Sequence, residues 1–236
     1  TIEKVNSSFS SLQPGDKILF KCGDTFYGTI KILKSGMAGS PITIGTYGTG
    51  EKPVITGFKT ITGWKNEGNG IYSATVTSEY PTNMAVINDV QYAMGRWPDS
   101  TYNSFESANT NLSITDNELT QTPDWKGAEV VIRKNDWILD RCRITSHSGG
   151  TLIYTSLGGD NDAIAGFGYF IQNDKRTLTA FGEWYHDHAG DKIYFYFGSS
   201  NPLALKVEIA VLNNLLYNIG HDYITVDNLH FRGSVS

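Results

Sequence analysis

Glu183, His186, Asp187, His188 and Asp191 fall within one short stretch of the chain. Glycosidic cleavage needs two carboxyl groups roughly 5–10 Å apart across a sugar, so Glu183 and Asp187 are candidate catalytic acids, with His186 beside them for proton transfer. On an extended strand Glu183, Tyr185 and Asp187 share one face, while Trp184, His186 and His188 share the other. The two histidines then form a same-face pair suited to a metal or a proton. Against catalysis, Ala189-Gly190-Asp191-Lys192 reads as a hairpin tip, where exposed His and Asp are ordinary. Asp160-Asn161-Asp162 offers hard oxygen ligands to Ca²⁺, but Gly158-Gly159 and Ala163 on either side read as a plain loop. With no Cys/His cluster present, the expectation is no metal and no cofactor, calcium being the one alternative.

Arg96-Trp97 is the best candidate for substrate contact. An indole face stacks on the apolar face of a pyranose, and a guanidinium pairs bidentately with a uronate. The competing reading is favoured: Trp97 packs between an inserted β-domain and a stack of coils, and Arg96 sits in a structural ion pair, with Pro98 fixing the following turn. Trp64, Trp125, Trp137 and Trp184 read as core, and His221 and His230 as ordinary core or surface histidines.

The elements that must position these residues are short strands. Ile18-Leu19-Phe20, Thr29 to Leu33, Ile42-Thr43-Ile44 and Val54-Ile55-Thr56 are β-branched runs bounded by Gly, Pro, Asp and Ser. Their starts lie about eleven to thirteen residues apart, so two strands with turns take roughly 25 residues, within the range of stacked solenoids. Ile2, Val5, Phe9 and Leu12 mark one face of a short helix placed to cap the open end. From Trp64 to Gly198 that rhythm is lost. Gly68-Asn69-Gly70 reads as a hairpin turn, and 128–133 with 137–144 as an antiparallel pair. The run from Pro98 to Asp124 reads as loop with one helical turn at Asn117-Glu118-Leu119. Alternating apolar runs return from Leu205 to Arg232 and stop with no visible cap, so the native protein is expected to continue past Ser236.

The 236 residues are 39% hydrophobic and 18% charged, with 25 glycines and a formal net charge of −5. No Lys/Arg run supports nucleic-acid binding, and no apolar stretch approaches the ~18 residues of a membrane span. Cys22 and Cys142 read as two separate thiols, with a disulfide open only in an exported protein.

Leu12 to Phe20, Gly23 to Phe26 and Gly39 to Gly48 resemble the opening of pectate-lyase-like right-handed parallel β-helix proteins of bacteria. Val86 to Asp99 and Gly182-Glu183-Trp184-Tyr185-His186-Asp187 with Asp191 to Tyr194 are similar to the inserted domain of such proteins. Cys22 departs from the resemblance, standing where a basic residue is frequent. The resemblance implies a secreted or cell-surface polysaccharide-degrading enzyme, a glycoside hydrolase or lyase, whose catalytic acids lie on later coils.

The expected fold is therefore all-β: a right-handed parallel β-helix with an N-terminal capping helix and an inserted antiparallel β-domain. Residues 1–63 would form the cap and first coils, 64–198 the insertion, and 199–236 the return. The expected function is the N-terminal region of an exported, monomeric, polysaccharide-active protein. A non-catalytic carbohydrate-binding or spacer module of a surface protein is the second reading.

Overall fold

The computed structural model describes residues 1–235. The chain divides into two compact units. The first comprises Thr1–Thr62, Val76–Gln91 and the segment from Leu203 onward, and the second comprises Gly63–Thr75 and Tyr92–Pro202.

The first unit opens with the helix Ile2–Phe9, whose N-cap Thr1 accepts a hydrogen bond from the Lys4 amide at 3.3 Å. Its apolar stripe ends at Phe9 rather than Leu12, because Ser10 and Ser11 turn the chain toward Pro14-Gly15. Ile2 and Phe9 are buried with Phe20, Ile30, Ile32, Ile42, Ile44 and Ile55. Asn6 covers the edge of the Ile30–Ile32 strand, donating to the Thr29 carbonyl and accepting from the Lys31 amide, both at 2.9 Å. Backbone groups that a lone short strand would leave open are satisfied in this way.

The apolar runs at the amino end are strands. Lys17–Lys21 pairs in parallel with Ile42–Tyr47, and Thr25–Tyr27 with Val54–Thr56. Late segments also pair in parallel with early ones: Ile224–Val226 joins Ile42–Ile44 and His230–Arg232 joins Val54–Thr56 in the same two sheets, and Leu216–Asn218 forms a separate two-stranded sheet with Ile30–Ile32. Next to these, Val207–Ala210 pairs antiparallel with both Phe58–Thr60 and Ala85–Ile87.

The second unit is antiparallel throughout its named strand pairs. An eight-stranded sheet runs in the order 96–97, 168–172, 129–133, 139–148, 151–156, 113–115 and 107–109, with 103–104 also pairing to 168–172. A four-stranded sheet holds 184–187, 192–196, 71–75 and 65–68. Glu129–Arg133 lies between two partners and is buried along its first four residues. Its apolar side chains Val130 and Ile132 join Trp125, Cys142, Ile144, Leu152, Tyr169 and Ile171 in the core.

The right-handed parallel β-helix expected as the architecture is corrected. Among the described residues, parallel pairing joins 8 of 24 strands, in sheets of three, three and two. The remaining sixteen lie in the sheets that carry the antiparallel hairpins, and these dominate the fold. The reason is local: tight turns such as Asn69-Gly70 and Asn88-Asp89, both with positive φ at Asn, return the chain directly onto itself. Short strands at even spacing serve either pairing, so the rhythm of the apolar runs does not specify a helix of coils.

Candidate functional site in the antiparallel unit

The eight-stranded sheet ends in a cleft where the Glu129–Arg133 strand turns into Leu139–Ser148. Lys134 N donates to the Ile138 carbonyl at 2.9 Å and closes the loop. Within it, Asn135 Oδ1 accepts from the amides of Trp137 (2.9 Å) and Ile138 (3.1 Å). An Asn side chain bonding the backbone two residues on makes an Asx turn. That turn carries the Trp137 side chain outward, and Trp137 is 91% exposed. Trp125 and Trp184 are buried and Trp64 and Trp97 are partly buried, so one indole of five stands in solvent. The sequence reading of Trp137 as core is thus reversed by the turn chemistry of Asn135.

The cleft measures about 440 Å³ and is lined by Tyr102, Arg133, Asp136, Trp137, Ile138, Leu139 and Gly168. That volume lies in the roughly 300–1,000 Å³ range of small-ligand sites. Tyr102 and Leu139 are both exposed and add apolar surface beside the indole. Gly168 lets the Tyr102 loop approach closely: a Cβ there would meet the Tyr102 Cβ at 3.0 Å. Arg133 lies over the Phe167 ring at 5.2 Å. Its Nη2 donates to the Asp136 carbonyl at 3.3 Å and stands 3.9 Å from the Asp136 carboxylate. One donor fork and one acceptor pair thus border an aromatic wall.

Arg96 does not reach the cleft as a free cation. Its guanidinium lies 5.1 Å from the Tyr102 ring and 4.7 Å from the Phe170 ring. It donates to the carbonyls of Asp99 (3.3 Å) and Thr101 (2.6 Å). Arg96 therefore holds the 98–102 loop and the Tyr102 ring, with its donors turned to backbone. Trp97 is half-buried with its ring 5.6 Å from that of Trp125.

Glu183 and Asp187 are engaged in turns. Glu183 Oε2 accepts from the amides of Thr179 (2.6 Å) and Ala180 (2.8 Å). Asp187 Oδ1 accepts from Gly190 N at 3.0 Å, at the end of the Trp184–Asp187 strand. His186 points inward, 3% exposed, with its ring 5.3 Å from that of His188. Burial, and then the neighbouring His188, push its pKa down from 6.5 to about 4. Asp160 and Asp162 are exposed loop residues, and the Asn161 carbonyl between them accepts from Lys134 Nζ at 3.0 Å. Among the described residues no three His, Cys, Asp or Glu side chains cluster as a metal site. Cys22 and Cys142 are unpaired thiols, and burial raises Cys142 to about 11. No helix of the described residues is long and apolar enough to cross a membrane.

No family profile matches the chain, and no curated protein matches it. Among solved structures, one titled "Glycoside hydrolase" aligns with 99% of this chain at TM-score 0.73 and 19% identity. The chain spans 46% of that structure, under half its length. "The complex structure of XylC with xylose" aligns with 98% of this chain and 32% of its own at TM-score 0.49 and 15% identity. The first likeness is one of fold, and it covers both units of this chain.

Proposed function

We propose that the chain is the saccharide-binding part of a polysaccharide-active protein, and that the Trp137 cleft holds the sugar. The observation that carries this reading is the 91% exposure of Trp137 at the rim of an aromatic-lined cleft. A bare indole costs apolar surface in water, and a turn built to display one favours a ligand with an apolar face. Pyranose rings have such a face, with hydroxyls around the rim that the Arg133 fork and the Asp136 carboxylate can meet. The fold likeness to a structure titled "Glycoside hydrolase" supports placing the chain among carbohydrate-active proteins.

The role proposed for this cleft is binding rather than bond cleavage. Asp136 is the one carboxylate lining it, whereas hydrolysis uses a pair. The natural setting of such a module is outside the cell, where polysaccharide is met. Calorimetric titration of soluble oligosaccharides against the chain and its Trp137→Ala variant tests the reading. Trp137 is so exposed that its removal leaves the core intact. Affinity for at least one glycan should fall roughly tenfold or more in the variant. Equal affinity in both proteins refutes the assignment of the cleft.

A further inference from the structure

We infer that Asp136 makes the cleft selective for neutral glycans over their uronate counterparts; the inference rests on the cleft being a saccharide site, as proposed above. Two arginines lie near the aromatic wall, and each is already directed. Arg96 is held between Tyr102 and Phe170 with its donors on the Asp99 and Thr101 carbonyls. Arg133 retains an open side chain, 52% exposed, but the Asp136 carboxylate stands 3.9 Å from its guanidinium and is 72% exposed. A ligand carboxylate that approached Arg133 would therefore meet Asp136 at comparable range.

Two like charges about 4 Å apart in a water-like medium repel by an amount equal to about fivefold in an equilibrium constant. The Arg133 attraction is offset by that repulsion, so a uronate gains no net electrostatic advantage. Adjacent sugar hydroxyls fit the pair better. One oxygen accepts from the guanidinium fork while the next hydroxyl donates to the carboxylate, and both protein groups are satisfied without a ligand charge. The aromatic wall of Trp137 and Tyr102 is indifferent to the charge at the sugar rim, so selectivity falls on Asp136.

The test compares β-1,4-mannohexaose with β-1,4-hexamannuronate, which share linkage and ring configuration and differ at C6. A second matched pair, cellohexaose and its C6-oxidised form, guards against a ring configuration the cleft refuses. Titrations at low salt should give the neutral member of a pair the tighter binding to the wild-type chain, through the hydroxyl that donates to Asp136, and the uronate should gain about fivefold on it once the Asp136 charge is removed. In Asp136→Asn that gap should close or invert, because the amide keeps its hydrogen bonds and loses its charge. Uronates binding as tightly as the neutral ligands to the wild type, or an unchanged gap in Asp136→Asn, overturns the inference while leaving the saccharide site standing. Failure of all four ligands to bind overturns the saccharide reading itself, and the selectivity with it.

Discussion

Removing the Lys134 ammonium should destabilise the antiparallel unit strongly, and removing its partner at the same time should recover part of the loss. Lys134 is wholly buried one residue beyond Arg133. Its Nζ lies 3.6 Å from Asp140 Oδ2, donates to the Asn161 carbonyl at 3.0 Å and to Asn111 Oδ1, and sits 5.1 Å from the Tyr154 ring. The Asp140 side chain is only 10% exposed, and its Oδ2 has no hydrogen bond besides this ion pair. Lys134→Met leaves that carboxylate in the interior without its cation. Breaking a buried pair in this way costs about 3–5 kcal/mol, a large share of a typical folding free energy of about 5–15 kcal/mol. The double variant Lys134→Met/Asp140→Asn removes both charges and should fall short of the summed single losses by at least about 1 kcal/mol. Urea unfolding of all four proteins gives the cycle, with tryptophan emission as the signal. Because the pair is buried, 1 M NaCl should leave the coupling largely unchanged. Additive losses, or a Lys134→Met cost under about 1 kcal/mol, would refute the claim that one desolvated ion pair anchors the loop behind Trp137.

Further outcomes follow from other contacts. His186 has its pKa lowered to about 4 in the folded chain, so the unfolded state binds the proton first as pH falls. Stability is complete above pH 6.5 and should decline toward pH 4 by at most about 3 kcal/mol; the decline should vanish in His186→Gln, as thermal melts across that range would reveal. Cys142 is buried with its thiol raised to about 11, whereas Cys22 is partly exposed. A thiol reagent at pH 8 should therefore modify one cysteine in the native chain and two in urea, and fast modification of both would contradict the packing. Gly182 has φ +87, and a Cβ there would fall 1.9 Å from the Tyr92 ring; Gly182→Ala should lower the melting temperature by several degrees. Asn135→Ala removes both Asx-turn bonds, so it should cost about 1 kcal/mol and weaken glycan binding together.

What the sequence reveals is mainly local. The alternation in Ile42-Thr43-Ile44 and the β-branched run Glu129 to Arg133 specify strands, and both are strands. Partners are another matter. Leu216–Asn218 pairs with Ile30–Ile32 from the far end of the chain, and no short-range pattern encodes which distant strand will accept it. Period alone leaves parallel and antiparallel pairing undecided, so it does not establish the parallel β-helix with an inserted antiparallel domain that the sequence suggests. At the cleft, hydrophobicity assigned Trp137 to the core, whereas Lys-Asn-Asp preceding it is a turn signal that overrides hydrophobicity. From the sequence Arg96 reads as a uronate-pairing group or a member of a structural ion pair. Its guanidinium is nonetheless consumed by the 98–102 loop, a use visible only once Thr101 and Phe170 are placed around it.

The most direct measurement of the central claim is the indole N–H region of a ¹⁵N-correlated spectrum during glycan titration. Five indole signals are expected, and the Trp137→Phe variant identifies its own by loss. Addition of mannohexaose or cellohexaose should move the Trp137 signal first and furthest, while those of Trp125 and Trp184 stay in place. A bound glycan that shifts other indoles and leaves Trp137 still would contradict the account.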